Sequence, residues 1–360
     1  MKLSVGIIGL PNVGKSTLFN ALTGAGALVA NYPFATIEAN TGVAAIPDPR
    51  LDHLAELVGA EKKTPATVTF VDIAGLVEGA SHGEGLGNRF LAKVRDVSAL
   101  CHVVRAFDSP SVVRVTEAAD PEGEIEIVET ELVLADLESV ERRLPKLEKE
   151  ATADPRLRPA AELLRELEEV LALGEPVNRH RDLATRAAEV AELNLLTAKA
   201  VIYVFNGDEA LLADGDRRSE LAQAVAPAEA VFIDAGLEAE LADLDPEDRA
   251  ELLASVGQSE PGLNAVVRAA YRALGLQTFI TVRGTETRAW TIPVGATAYE
   301  AAGAVHTDFQ RGFIAAEVIE YATLAEVGSW QAARAKGLIR TEGRDYVMQP
   351  DDVVEFRFNL

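Results

Sequence analysis

The 360-residue chain has one cysteine, two methionines and two tryptophans, and aromatic residues make up only 6% of it. The single cysteine, Cys101, excludes an intramolecular disulfide and is typical of proteins in a reducing compartment, so we expect a cytoplasmic protein. No hydrophobic run approaches the roughly 20 residues of a membrane-spanning helix, and we expect no membrane partner. Basic residues are outnumbered 34 to 57 by acidic ones, giving a formal net charge of −23. This charge argues against nonspecific attraction to nucleic acid, and no DNA partner is expected.

What the chain does contain indicates a globular protein. Its hydrophobic content is 48% and its charged content is 25%, which are ordinary values for folded domains. A chain of this length predicts two or three domains with a sizeable core.

A phosphate-binding loop is predicted at residues 9–16, which read Gly-Leu-Pro-Asn-Val-Gly-Lys-Ser. This stretch fits the pattern G-x-x-x-x-G-K-S/T and lies between a strand-like run and a helix-like run, the context that the pattern requires. Its glycines let successive amide groups point at phosphate oxygens, and Lys15 is placed to reach the β- and γ-phosphates. We expect nucleotide contacts from Asn12, Val13, Gly14, Lys15, Ser16 and Thr17, with Ser16 also binding Mg²⁺. The alternative is a glycine-rich turn that binds nothing.

Three further sequence elements restrict which reaction the predicted phosphate-binding loop could serve. Asp72 ends a strand-like run, where a carboxylate can hold Mg²⁺ through water, and the amide of the following Gly75 can sense a γ-phosphate. Thr36 is the candidate hydroxyl that completes the Mg²⁺ shell when a triphosphate is bound. Four glycines within residues 79–87 favour a loop that rearranges with nucleotide state. The alternative for the loop with Thr36 is an ordinary surface loop with a proline turn, and the alternative for residues 79–87 is a merely disordered turn.

A helical hairpin is predicted between residues 129 and 195. In each arm apolar residues recur every three or four positions, and the break Asp154-Pro155 separates the arms. The stripe residues are Leu137, Val140, Leu144, Leu147 and Ala151 in the first arm and Leu164, Leu167 and Leu171 in the second. About two heptads fit in each arm, so we expect an antiparallel hairpin and not a long coiled coil.

The rest of the chain predicts an α/β domain and a small α+β domain. Strand-like runs at 67–72, 99–107, 199–205 and 230–234 alternate with helical patterns on both sides of the hairpin. The hairpin therefore interrupts one doubly wound domain. Residues 278–360, with short strands and Gly or Pro turns, form the second domain.

Four collinear segments carry a family resemblance: GLPNVGKSTLFNALT from Gly9, NYPFATIEANTG from Asn31, VDIAGLVEGASHGEGLGNRFL from Val71 and RAWTIPVGATAYEAAGAVHTDFQRGFIAAEVI from Arg288. Together they resemble the translation-factor-class P-loop NTPases, and in particular the Obg-like ATPase (YchF) family. The resemblance implies a Ras-like P-loop NTPase domain in two parts, 1–128 and 196–277, split by the hairpin at 129–195. It also implies a β-grasp-like TGS domain at 278–360.

The base-reading segment differs from the guanine-specific pattern. GTPases of this class read guanine with Asn-Lys-x-Asp, whereas this chain has Asn206-Gly207-Asp208-Glu209. The segment looks like the family's Asn-x-x-Glu variant, which is associated with a preference for ATP over GTP. The resemblance thus implies that Asn206, Gly207, Glu209 and Ala235 contact the nucleotide. A one-residue shift that brings Asp208 to guanine is the alternative.

Catalysis is expected to be slow. Leu76 occupies the position where many related GTPases carry a glutamine that orients the attacking water, and leucine has no hydrogen-bonding group. Catalysis then depends on Lys15, Thr36 and Gly75 with Mg²⁺. Asn12 resembles the asparagine that positions a monovalent cation in potassium-stimulated relatives, which makes K⁺ a candidate second ion. An asparagine that merely tolerates the turn is an equal alternative.

The resemblance implies an ATPase of the Obg-like type, a partner-regulated switch that binds ATP in preference to GTP. A ribosome, or a translation-related RNA or protein, is the expected partner of the hairpin and the TGS domain. Two alternatives stay open: a nucleotide-gated adaptor with incidental hydrolysis, and a conventional GTPase.

Overall fold

The computed structural model describes residues 3–24, 40–73, 86–108 and 120–359. These residues form two compact units. The first unit comprises the chain up to Ala44 together with Thr69–Leu274, and the second comprises Ala45–Val68 with Gly275–Leu360.

The strands of the described residues are, in chain order, β1 (Ser4–Ile8), β2 (Thr41–Ala45), β3 (Lys62–Thr64), β4 (Thr67–Asp72), β5 (Ala99–Ala106), β6 (Ala200–Gly207), β7 (Glu229–Ile233), β8 (Leu276–Arg283), β9 (Glu286–Pro293), β10 (Phe313–Glu320), β11 (Arg340–Glu342) and β12 (Asp352–Phe358).

The α-helices of the same residues are α1 (Lys15–Gly24), α2 (Pro49–Leu57), α3 (Leu86–Asp96), α4 (Pro121–Ala153), α5 (Arg158–Ala172), α6 (Arg181–Arg186), α7 (Glu209–Ala213), α8 (Gly215–Ala224), α9 (Ala235–Asp243), α10 (Pro246–Ser255), α11 (Gly262–Ala273), α12 (Ala298–Val305), α13 (Thr307–Arg311), α14 (Tyr321–Val327) and α15 (Trp330–Ala335). Short 3-10 helices lie at Pro155–Leu157, Val177–Arg179 and Ala187–Leu193.

The first unit is built on a six-stranded sheet with the order β2-β4-β1-β5-β6-β7. The pairs β1–β4, β1–β5, β5–β6 and β6–β7 are parallel. Strands β1 and β5 are buried along nearly their whole length, as expected for a parallel sheet covered on both faces. The predicted α/β fold is confirmed, and its four predicted strands occur as β4, β5, β6 and β7.

The helical hairpin occurs as α4 and α5, which pack side by side. The predicted stripe residues of both arms belong to one hydrophobic cluster, with Leu137 at its partly buried edge. Helix α4 begins at Pro121, earlier than the hairpin predicted from residue 129. Asp120 caps it by accepting from the Gly123 N–H at 2.8 Å, and Ile125 packs in the core against Val104. The first turns of α4 therefore belong to the sheet's core.

A buried carboxylate fixes the hairpin to the chain that leads into β6. Asp136, on α4, accepts from the backbone N–H groups of Leu196 and Thr197 at 2.9 and 2.8 Å, and from the Thr197 hydroxyl at 2.7 Å. Burial raises the pKa of Asp136, and these hydrogen bonds oppose that shift. The charge is thus satisfied by three donors at the base of the hairpin.

The second unit contains a six-stranded sheet with the order β11-β10-β12-β8-β9-β3. Most of its strands come from residues after 275, as predicted for an α+β domain. Strand β3 does not: it pairs in parallel with β9, and the backbone N–H groups of Glu61 and Lys62 donate to Thr285 O. The segment Ala45–Val68 thus joins the C-terminal unit, whereas the prediction placed it in the first part of the NTPase domain, residues 1–128.

Cys101 lies in β5 and is fully buried, and burial raises the pKa of its thiol to about 12. Among the described residues, no helix is both long and apolar enough to cross a membrane.

Candidate nucleotide-binding site

The loop between β1 and α1 has the geometry of a phosphate cradle. Gly9 and Gly14 have φ angles of 144° and 101°, and Asn12 has a φ of 62°, a conformation that asparagine adopts more readily than most residues. A Cβ at Gly9 would lie 2.3 Å from Val103 O, and one at Gly14 would lie 2.3 Å from the Asn206 Nδ2. Only glycine lets the loop pass this close to its neighbours.

Lys15 is buried at the start of α1. Its Nζ donates to Leu10 O at 2.6 Å, so the side chain folds back over the loop. Burial lowers the pKa of the Lys15 ammonium to about 8, and the charges of Asp72 and Glu124 oppose this shift. A partly desolvated cation at the N-terminus of a helix suits a phosphate ligand, since both favour negative charge.

Asn206 connects the loop to β6 and to the start of α9. Its Nδ2 donates to Val13 O at 2.9 Å, and its Oδ1 accepts from the Ala235 N–H at 3.0 Å. The side chain is only 5% exposed, so both hydrogen bonds are shielded from water. This asparagine therefore holds the phosphate loop, the end of β6 and the start of α9 in one arrangement.

A cavity of about 570 Å³ lies at this junction, at the carboxyl ends of the parallel strands. Its volume is within the range of small-molecule sites. It is lined by Asn12, Gly14, Lys15, Ser16, Thr17, Phe107, Asp108, Asn206, Gly207, Asp208, Asp234, Ala235 and Gly236. Most of the predicted nucleotide contacts thus meet around one space.

Two predicted contacts do not line the cavity. Val13 is buried, with its carbonyl bonded to Asn206, and Glu209 is exposed. Asp208 does line the cavity, but its Oδ1 accepts from the Leu211 N–H at 3.0 Å and caps α7.

Four lining residues were not predicted: Phe107, Asp108, Asp234 and Gly236. Each follows β5 or β7 where the strand ends, and ligands of open parallel sheets bind outside such carboxyl ends. That rule, applied to the strand ends read from the sequence, would have found them.

Two of the three predicted Mg²⁺ ligands, Ser16 and Asp72, lie among the described residues. Ser16 is exposed beside Lys15, and Asp72 lies at the end of β4, in register with Ile7 of β1. Hydroxyl and carboxylate oxygens are the donors that Mg²⁺ prefers. No group of three or more His, Cys, Asp or Glu side chains in the described part of the chain is arranged to hold a metal.

Thr36, Gly75 and Leu76 lie outside the described residues, as does most of the segment 79–87. His102, in contrast, lies among the described residues, where it is buried in β5. Burial and the charge of Lys15 lower its pKa to about 3, so it is neutral at physiological pH and has a structural environment.

Comparisons with known proteins agree with this geometry. A family model described as "50S ribosome-binding GTPase" matches residues 4–153. The YchF-GTPase C-terminal model, described as "Protein of unknown function (DUF933)", matches residues 276–359.

Among the proteins that match the full length are two curated relatives and one solved structure. The chain is 48% identical over 366 residues to the ribosome-binding ATPase YchF of Haemophilus ducreyi, covering 100% of both chains. It is 43% identical over 366 residues to the protein of the same name from Bacillus subtilis, again covering 100% of both. The structure of the Schizosaccharomyces pombe YchF GTPase superposes with a TM-score of 0.86 at 33% identity, covering 99% of this chain and 98% of that one.

Proposed function

Because this chain belongs to the YchF family, we propose that it binds ATP and hydrolyses it to ADP and phosphate as a slow conformational switch. One observation carries the proposal. A single cavity brings the phosphate loop residues Gly14–Thr17 together with the Asn206-Gly207-Asp208 turn and the start of α9. A triphosphate on the loop places its base at that turn, as in other P-loop domains of this fold.

ATP is the proposed substrate and GTP the weaker ligand. The relatives' names differ on this point, since the bacterial proteins are called ATPases and the fission-yeast structure a GTPase. Guanine recognition needs a carboxylate that accepts from the base N–H groups. Here an Asp208 oxygen is used to cap α7, and Glu209 is exposed outside the cavity lining. Phe107 supplies an apolar wall, which suits either purine.

The chain's own groups have distinct roles in the proposed reaction. Lys15 contacts the β- and γ-phosphates and stabilises the transferred charge. Ser16, Asp72 and Thr36 are the proposed Mg²⁺ ligands, and Mg²⁺ when bound neutralises phosphate charge. The Gly75 amide is proposed to contact the γ-phosphate.

Slow turnover is proposed because Leu76 cannot orient the attacking water. K⁺ is proposed as a second ion beside Asn12, which lines the cavity. Equal hydrolysis rates in KCl and NaCl buffers would remove the potassium proposal.

The ribosome is the proposed partner, since the curated relatives are named ribosome-binding. We place this protein in the cytoplasm. The proposed docking elements are the hairpin, residues 129–195, and the TGS domain, residues 278–360.

One observation favours a second function. Because Leu76 cannot orient the attacking water, the second candidate function is a nucleotide-gated adaptor. In such a protein, nucleotide occupancy matters more than turnover. Two measurements on wild type and on Lys15→Ala separate the two functions. They are phosphate release from ATP and from GTP, and ribosome co-sedimentation with each nucleotide. Lys149→Ala is the matched control, because Lys149 is exposed on α4.

An ATP-driven switch predicts that Lys15→Ala abolishes phosphate release and also removes the dependence of ribosome binding on ATP. If wild-type turnover is undetectable while ATP still changes ribosome binding, the adaptor is correct. Faster release from GTP than from ATP identifies a conventional GTPase.

A further inference from the structure

Asp234 caps helix α9 at the edge of the nucleotide cavity. The helix begins at Ala235, and Asp234, Ala235 and Gly236 all line the cavity. The N–H groups of Gly236 and Leu237 donate to Oδ1 of Asp234 at 2.9 and 3.1 Å. The N–H of Glu238 donates to the Asp234 carbonyl at 2.9 Å. Asp234 thus satisfies most of the backbone donors that a helix leaves free at its N-terminus.

The remaining donor of that first turn is also used within the protein. The Ala235 N–H donates to Oδ1 of Asn206, as described above, at 3.0 Å. A helix N-terminus ordinarily attracts anions and other hydrogen-bond acceptors through its free N–H groups. In the described turn at 235–238, every N–H already has an acceptor, so this end of the cavity offers an acceptor-bearing ligand no backbone donor from α9.

The second carboxylate oxygen of Asp234 remains for a ligand. Only Oδ1 takes part in the cap, and Oδ2 makes no hydrogen bond or ion pair with the part of the chain that the structure describes. An ionised carboxylate oxygen accepts hydrogen bonds and cannot donate them. Beside α9, the half-buried Asp234 therefore presents an acceptor to the cavity where the helix has no donor left.

This arrangement distinguishes the two purines at position 6. Adenine carries an amino group there, which donates, whereas guanine carries an oxygen, which accepts. A carboxylate oxygen can accept from the amino group but repels the guanine oxygen. Guanine also has donors at N1 and at its 2-amino group, yet its O6 would then face a helix turn without a free donor. An acceptor that loses water and gains no donor is costly to bury.

We propose that Asp234 is a specificity-determining residue that accepts from the 6-amino group of adenine and excludes the 6-oxo group of guanine. The inference rests on the proposed function, since it names the residue that makes ATP the preferred nucleotide at that same cavity. Asp234 follows β7, so this selection is separate from the Asn206-Gly207-Asp208-Glu209 segment that follows β6.

The test compares Asp234→Asn with Asp245→Asn in the full chain. Asparagine ranks with aspartate as a helix cap, and it replaces the second oxygen by an amide that donates. Asp245 is the matched control because its Oδ1 caps α10 in the same way, accepting from the N–H groups of Glu247 and Asp248 at 3.0 and 3.1 Å. Asp245 is exposed and does not line the nucleotide cavity.

Titration calorimetry with ADP, GDP and IDP measures the effect, because hydrolysis does not interfere with diphosphates. The ratio of ADP affinity to GDP affinity is expected to fall at least about ten-fold in Asp234→Asn and to stay at the wild-type value in Asp245→Asn. IDP is expected to gain affinity together with GDP, since inosine shares the 6-oxo group but lacks the 2-amino group. A general folding defect would weaken all three ligands in parallel and leave the ratio unchanged.

Asp208→Asn is the third variant, because Asp208 also lines the cavity and also uses one oxygen as a helix cap. The proposal is overturned if the ratio changes in Asp208→Asn and not in Asp234→Asn, which would make Asp208 the residue that reads the base. It is also overturned if GDP gains affinity without IDP, or if wild type binds GDP more tightly than ADP.

ATP turnover of the same variants separates this proposal from the proposed function. If wild type prefers ADP and hydrolyses ATP while Asp234→Asn keeps the wild-type ratio, the assignment of Asp234 fails and the ATPase stands. If the ratio falls as expected but wild type hydrolyses no ATP, the proposed enzyme fails and the assignment of Asp234 stands. A wild type that binds none of the nucleotides overturns both.

Discussion

Asn206 and Val13 are joined across the phosphate loop: the Asn206 side-chain amide donates to the Val13 carbonyl at 2.9 Å. The same side chain accepts from the Ala235 N–H at 3.0 Å. Because both ends of one buried amide are used within the protein, Asn206 fixes the cavity's shape before any base contact is made. Asn206 is therefore a positioning residue for the cavity.

Replacing Asn206 by alanine is expected to weaken both folding and nucleotide binding. The change leaves a buried carbonyl and a buried N–H without their partner, at a cost of about 1–3 kcal/mol each. Urea denaturation and calorimetry with an ATP analogue measure the two effects. Asn264→Ala is the control, since Asn264 pairs with Glu260 at an exposed site. Equal stability and equal analogue binding in the two variants would show that the Asn206 hydrogen bonds contribute to neither property.

Gly14→Ala is expected to destroy the phosphate cradle. The residue has a φ of 101°, and the added Cβ would lie 2.3 Å from Nδ2 of Asn206, which its hydrogen bonds hold in place. Backbone strain alone costs about 1–3 kcal/mol, so we expect an ATP analogue to bind at least about ten-fold more weakly. Titration calorimetry measures this loss.

Gly24→Ala is the matched control for that change. A Cβ at Gly24, the last residue of α1, meets no atom of the described residues within 4 Å. Alanine is favoured over glycine in helices by up to about 1 kcal/mol, so stability is expected to stay the same or rise slightly. Loss of binding in both variants would contradict a specific role for Gly14.

Lys199 is expected to make stability depend on alkaline pH. Its Nζ donates to Arg95 O at 2.7 Å and to Val97 O, and burial lowers the pKa of Lys199 to about 8, helped by the charge of Arg95. Unfolding returns that pKa to about 10.4. Between these values the unfolded chain holds more protons, so the free energy of unfolding rises with pH.

The measurement is urea denaturation of wild type and Lys199→Met from pH 7 to about pH 10. The difference between the two curves isolates Lys199 from Lys15, whose pKa burial also lowers to about 8. The wild type is expected to gain stability relative to the variant as pH rises. A difference that stays flat or falls would refute the assignment.

The phosphate loop and the hairpin core could be predicted from the sequence because each has a short-range pattern. The loop depends on glycines at fixed spacing, and residues such as Leu144 and Leu167 pack as their three- and four-residue steps predict. The start of α4 also had a local signal. Asp120 followed by Pro121 is a helix cap with proline in the first turn, which would have placed the helix start earlier than residue 129.

Other features have no local pattern. Strand β3 is only three residues long and pairs with β9, more than 200 positions away in the chain, so nothing in its own sequence identifies its sheet. The different surroundings of Asp208 and Glu209 likewise depend on where α7 begins. Neighbouring carboxylates cannot be told apart by spacing when a one-residue shift exchanges their roles.

The most direct test of the central claim is titration calorimetry of the full chain, with Mg²⁺ and unhydrolysable analogues of ATP and GTP in parallel. The account predicts one site per chain, with the ATP analogue bound at least about ten-fold more tightly, a difference of about 1.4 kcal/mol. It also predicts that Gly14→Ala loses most of that binding. No heat from either analogue, or tighter binding of the GTP analogue, would contradict it.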